Sequence, residues 1–167
     1  MTRPIILVFA AALISAAPAP GANPPSTVEV HGLNFTPPIA FSAPAPAGLD
    51  ALLVVHPADA KAGGEKVSLT AVAFSKDSGM SDAELLDYVK MTFLATSVSG
   101  KPVARTFLGK KVTGQTLEKK IPAPSNAEVY VVTKEKGDKV VLGFVYSAGF
   151  AKEAEEAIAG IAATMKE

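Results

Sequence analysis

The sequence predicts an α+β domain, an antiparallel β-sheet with helices packed on its faces. Three stretches carry that expectation. Val67 to Phe74 alternates with period 2, placing Val67, Leu69, Ala71 and Ala73 on one face, the pattern of a strand packed on something. Ser81 and Glu84 then stand three apart, ahead of an apolar run in which Leu85, Leu86, Val89 and Phe93 recur at helical spacing. A capping box therefore opens an amphipathic helix, expected to dock on the strand's apolar face. At the chain's end, AEVYVVTKEKGDKVVLGFVYSA reads as a hairpin about Lys136-Gly137-Asp138. Phe150 to Met165 follows as a second helix, with Phe150, Ala154, Ile158, Ile161 and Met165 on one stripe.

The chain of 167 residues begins MTRPIILVFAAALISAAPAPGA. Arg3 gives a positive start, and Ile5 to Ile14 is an apolar run too short to span a bilayer. Ser15-Ala16-Ala17 or Ala17-Pro18-Ala19 supplies the small residues that precede cleavage. Residues 1–22 are expected to be a signal peptide, 23–27 a Pro-rich leader, and 28–167 a single domain, periplasmic or secreted. With no cysteine there is no lipobox and no disulfide, so the mature form is expected to carry no membrane anchor.

The intervening elements follow in order. VEVHGLNF (28–35) reads as one short strand. TPPIAFSAPAPAG (36–48) breaks regular structure, because each proline removes a donor and restricts its predecessor; a surface crossing pinned by Ile39 and Phe41 is expected. Leu49 to His56 has the length of a buried strand, and residues 58–65 form a loop turning at Gly63-Gly64. After the first helix, residues 95–102 read as a loop and Val103 to Leu108 as a strand. Gly109-Lys110-Lys111 interrupts it, and Val112 to Ile121 resumes extended chain. Gly160 inside the last helix costs about 1 kcal/mol against Ala and suggests a close approach to the sheet.

Charge excludes some function classes. Past Arg3, fifteen basic residues meet sixteen acidic ones, which predicts no general affinity for nucleic acid or anionic membrane. The balance is uneven: residues 91–141 hold nine Lys/Arg against four Asp/Glu, and residues 23–90 hold four against eight. Lys110, Lys111, Lys119, Lys120, Lys134, Lys136 and Lys139 form the candidate partner surface, expected on one end or edge of the sheet and suited to another envelope protein with an acidic surface. Edge lysines also protect a sheet from strand-to-strand aggregation.

No catalytic, cofactor-binding or metal residue is expected. GKKVTGQT (109–116) resembles a phosphate loop, but Gln115 stands where the phosphate lysine must be and β-type residues follow instead of a helix. There is no GxSxG elbow and no cysteine nucleophile. His31 and His56, with Glu29 and Asp59, make a His/carboxylate set only if their strands are neighbours; otherwise they are surface histidines. Asp77, Asp82, Glu84 and Asp87 cap and solvate the first helix.

The segments NFTPPIAF, VSLTAVAFSKDSGMSDAELLDYVKMTFL, KKVTGQTL and VYVVTKEKGDKVVLGFVYSAGFAKEAEEAIAGIAATMK, over about residues 28–166, resemble the PsbP-like family of α/β/α sandwiches. That family includes photosynthetic extrinsic subunits, Ran-binding adaptors and bacterial periplasmic or lipoprotein members. This chain lacks the family's common Gly-Trp entry, having no Trp, and lacks the lipobox cysteine of many bacterial members. The resemblance implies a non-catalytic binding or adaptor module, with no catalytic residue to carry over. The alternative is a carrier of a small apolar ligand in a helix–sheet pocket lined by Phe74, Phe93, Phe107, Phe144 and Phe150, residues that equally well make a core.

Overall fold

The computed structural model describes residues 27–38, 41–45, 52–55, 67–93, 97–119 and 125–167. Seven strands form one antiparallel sheet. Their spatial order is β3 (Phe41–Ala45), β4 (Leu52–Val55), β5 (Val67–Phe74), β9 (Lys139–Ser147), β8 (Ser125–Thr133), β7 (Lys110–Lys119) and β6 (Ser97–Phe107). A separate hairpin joins β1 (Val28–Val30) to β2 (Leu33–Phe35). Helices α1 (Asp82–Phe93) and α2 (Ala151–Thr164) cover opposite faces of the sheet, so the expected α+β class holds.

Strand alternation divides the interior into two cores. Val67, Leu69 and Ala71 of β5, Tyr130 and Val132 of β8, and Val140, Leu142 and Phe144 of β9 point to one face. There they meet Ala154, Ile158, Ile161 and Met165 on and just beyond α2. Val72, Val129, Val131 and Val141 point to the other face, under Leu85, Leu86 and Val89 of α1. The docking of α1 thus corrects the sequence expectation: it sits on the Val72 face, and α2 takes the Val67/Leu69/Ala71 face. A short 3₁₀ turn (Lys76–Ser78) connects β5 to α1 from the end where Val72 and Phe74 lie, and the Phe74 ring meets the Tyr88 ring edge-on at 5.6 Å. The capping box forms as expected: Ser81 N–H donates to Glu84 Oε2 (2.7 Å), and Glu84 N–H donates to Ser81 Oγ (3.3 Å).

Residues 28–35 are two strands, not one. His31 and Gly32 both adopt positive φ (50° and 75°), the geometry of a tight hairpin turn, and β1 folds back on β2. The hairpin buries Val30, Leu33 and Phe35 against the α2 side. It is tied to the chain's end by paired main-chain bonds between Asn34 and Lys166, both 2.8 Å. The crossing expected over 36–48 contains strand β3, and Pro44 is tolerated because β3 is an edge strand with an irregular register between Ser42 and Ala45.

The loop expected over 95–102 is mostly strand. β6 starts at Ser97 and absorbs Pro102 through a register shift between Ser99 and Pro102, again at an edge. Only Leu108-Gly109 separates β6 from β7, so Lys110 and Lys111 lie within a strand instead of interrupting one. The close approach at Gly160 is made by Pro38 and not by the sheet: a Cβ there would lie 2.8 Å from Pro38 Cγ and Cδ. Residues 1–26, which include the expected signal peptide and most of the leader, lie outside the described residues, as do His56 and the loop at 58–65.

Candidate functional site

The register of β7 on β8 sorts the seven lysines. Gln115 pairs with Val129 and Lys119 with Ser125, so the Lys110 end of β7 lies beside the β8–β9 turn. Lys110, Lys111, Lys134, Lys136 and Lys139 therefore share one end of the sheet. Lys119 stands at the other end, about 30 Å away along a strand rising roughly 3.3 Å per residue. The seven do not form one surface, because β7 runs the length of the sheet, and Lys120 lies outside the described residues.

Two of the five are used internally. Lys139 Nζ pairs with Asp82 Oδ1 (2.7 Å) and donates to the Met80 carbonyl (3.1 Å), fixing the start of α1 to β9. Lys134 Nζ donates to the His31 carbonyl (3.1 Å), bracing the β1–β2 turn. Lys110, Lys111 and Lys136 are exposed and have no ion-pair partner among the described residues. Two carboxylates at this end, unlike Asp82, accept from backbone: Asp138 Oδ1 from Lys76 N–H (3.1 Å) and Glu167 Oε1 from Glu135 N–H (2.6 Å).

A second constellation lies between β6, β8 and α2. The Arg105 guanidinium forks onto Glu128, Nε to Oε2 at 2.9 Å and Nη2 to Oε1 at 3.0 Å. It also forks onto Glu155, Nη1 to Oε1 at 2.8 Å and Nη2 to Oε2 at 2.5 Å. The Tyr130 hydroxyl donates to Glu128 Oε2 and accepts from Arg105 Nε (2.9 Å). Glu128 and Arg105 are nearly covered, with side chains 8% and 12% exposed, while Glu155 is 60% exposed.

The charges are mutually locked. Hydrogen bonding to Glu155, and then to Glu128, raises the Arg105 pKa despite its desolvation, so the group stays cationic. The same guanidinium holds the Glu155 carboxyl below its ordinary value. Burial first, then the bond to Glu128, pushes the Tyr130 hydroxyl up, and it stays protonated. Every one of these polar groups is already engaged with another member, so the arrangement works as a pin holding the edge strand β6 to β8 and α2. Sequence reading missed it. The available signal was Glu128 in AEVYVV, a carboxylate at a strand position that alternation turns toward the core.

The remaining sequence candidates fall elsewhere. His31 Nε2 donates to the Ala71 carbonyl at 3.1 Å, and no group of three or more His, Asp or Glu able to hold a metal exists among the described residues. The sheet separates the phenylalanines: Phe74 packs on the α1 side, while Phe107 and Phe144 are buried on the α2 side against the Tyr130 ring, at 5.0 and 6.3 Å. Phe74 therefore shares no pocket with Phe107 and Phe144, and the Phe93 side chain lies outside the described residues. Among the described residues no helix is long and apolar enough to cross a membrane. Comparison with protein-family models and with curated proteins finds no match for the chain.

Proposed function

We propose that the chain is a non-catalytic binding or adaptor module, secreted or periplasmic after loss of residues 1–22. In this reading it docks an acidic surface of another envelope protein on the lysine-bearing end of its sheet. One observation carries the reading: Lys110, Lys111 and Lys136 are gathered at one end by strand register and left without ion-pair partners among the described residues. The resemblance to PsbP-like proteins supports it, and an antiparallel sheet with a helix on each face is in keeping with their α/β/α sandwich.

Individual exposed ion pairs contribute only about 0.2–1 kcal/mol, so the lysines act mainly by steering association and selecting the partner. The test is capture of partners from the native envelope fraction by the tagged, signal-cleaved chain. Lys110→Glu/Lys111→Glu/Lys136→Glu is expected to lose a partner that the parent retains, and added salt to weaken the parent's capture. Lys119→Glu, at the far end, is expected to keep it. Equal capture by the parent and the triple variant would refute the docking surface.

A further inference from the structure

The ladder between β7 and β8 is incomplete. It runs from Lys119–Ser125 to Gln115–Val129 and stops there, although β7 reaches back to Lys110 and β8 on to Thr133. The strands touch at Gly114, where a Cβ would lie 2.1 Å from the Val129 carbonyl oxygen. Beyond that contact a cavity of about 290 Å³ opens between them, lined by residues 110–113 of β7, residues 131–133 of β8, Phe107 and Asp82.

Two hairpins independently show which backbone groups face this cavity. Leu108 and Gly109 both have positive φ (51° and 72°) and close on the pair Phe107–Lys110, a two-residue turn of the I′ kind. Its closing pair is hydrogen-bonded, and bonded and non-bonded pairs alternate from there. Val112 and Gly114 therefore bond to β6, while Lys111 and Thr113 turn toward β8. At the other hairpin Lys134 N–H donates to the Asp138 carbonyl (2.8 Å), so Val132 bonds to β9 while Val131 and Thr133 turn toward β7. Both phases set Gln115 and Val129 face to face, the rung at which the ladder stops. The next two rungs, Thr113 with Val131 and Lys111 with Thr133, are not made. These four residues turn N–H and C=O groups into the cavity, with no strand paired to them on that side among the described residues. The cavity's free charge is cationic. Lys110 and Lys111 are consecutive on β7, so they flank it from opposite faces of the sheet, and neither has an ion-pair partner among the described residues. Asp82, the carboxylate among the described lining residues, is already paired with Lys139.

Resting on the docking reading above, we propose that this cavity seats an extended segment of the partner protein carrying two consecutive acidic residues. A main chain supplies both the donors and the acceptors that Lys111, Thr113, Val131 and Thr133 leave unmatched, whereas an isolated carboxylate or phosphate supplies acceptors alone. Consecutive side chains of an extended segment point to opposite faces, and so meet Lys110 on one face and Lys111 on the other. The volume lies at the small end of the range for ligand pockets, about 300–1,000 Å³, and suits a short stretch of chain instead of a folded element. Main-chain bonds then fix the segment, and the two lysines select its charge.

The probe is a capped hexapeptide of sequence TVEEVT, with binding followed by NMR titration and amide hydrogen exchange. In the free chain the Lys111, Thr113 and Thr133 amides are expected to exchange faster than those of Val112 and Gly114, and the peptide to slow them by about tenfold or more. The peptide TVQQVT is expected to bind about tenfold more weakly. N-methylation of both glutamates keeps the charge but removes two donors, and is expected to abolish the slowing. Thr113→Pro removes a cavity-facing N–H without touching the ladder to β6, and is expected to lose the peptide; the N-methylated peptide decides the matter if this variant misfolds. Failure of TVEEVT to bind overturns the proposal. So does equal binding of the N-methylated peptide, or a free chain whose Lys111, Thr113 and Thr133 amides are as protected as their neighbours, which would mean that β7 closes on β8. Capture from the envelope fraction separates this from the docking reading. A partner retained by Thr113→Pro but lost by Lys110→Glu/Lys111→Glu/Lys136→Glu would leave the lysine surface standing and refute the cavity as its seat.

Discussion

Arg105 is the side chain on which the open edge of the sheet depends. Removing it leaves Glu128 buried with an uncompensated charge, and breaking a buried pair in this way destabilises by about 3–5 kcal/mol. Arg105→Met is expected to lose that amount in urea unfolding, and Arg105→Met/Glu128→Met to recover most of it, because replacing both partners by apolar groups of similar size is close to neutral. A double variant no more stable than the single would show that the pin is not what the arginine supplies. The outer half of the pin is visible in pH. Glu155 has a lowered folded-state pKa, so its stabilisation is complete above its unfolded value, ordinarily 4.5, and is lost as pH falls through the folded value. The urea midpoint is therefore expected to fall less steeply below about pH 4.5 in Glu155→Gln than in the parent; superimposable acid limbs would mean the contact adds no stability.

At the scale of elements, the periodic segments were legible and the close approaches were not. β5, the β8–β9 hairpin, α2 and the Ser81/Glu84 cap follow from spacing that is local to each segment. The β1–β2 hairpin was hidden because its turn is His-Gly, and a histidine at positive φ is not the usual Asn or Asp signal. Strand β3 and the first half of β6, Ser97 to Pro102, were hidden by prolines that only an edge position tolerates, whereas the half from Val103 on was read as a strand; edge status is a property of the assembled sheet. Gly160 shows the same point with a sign attached. Helix propensity alone would make Gly160→Ala stabilising by about 1 kcal/mol. The new Cβ, however, would stand 2.8 Å from two ring atoms of Pro38, and that ring cannot flex away as a long side chain does. Gly160→Ala is expected to lower the melting temperature in the parent and to raise it when Pro38→Gly is also present. A rise in the parent would show that Pro38 yields without resistance.

At the scale of the whole molecule, strand register decides both what the site is and how stability is distributed. The candidate lysines could be read off the sequence as residues, but which of them meet depends on the pairing of β7 with β8, to which alternation along one strand is blind; Lys119 therefore fell at the wrong end. The same order sets β8 and β9 at the centre, flanked on both sides and buried on both faces between α1 and α2. Edge β6 is held among the described residues by β7, by the arginine pin and by Phe107 and Val103 on the α2-side core, with no strand on its other side. Opening free energies follow such differences in coverage. The amides of Val129, Tyr130, Val132 and Val140–Phe144 are expected to exchange last, only on global unfolding. Along β6 an alternation is expected: the two-residue turn at Leu108-Gly109 makes Phe107–Lys110 a bonded pair, so Val103, Arg105 and Phe107, bonded to β7, outlast Ala104 and Thr106. Their protection should fall together in Arg105→Met, and the central amides, which exchange only on global unfolding, should lose protection by as much as the global stability falls. If the β6 amides outlast those of β8 and β9, the sheet is not organised around its central pair, and the edge is then too rigidly held for coverage alone to explain.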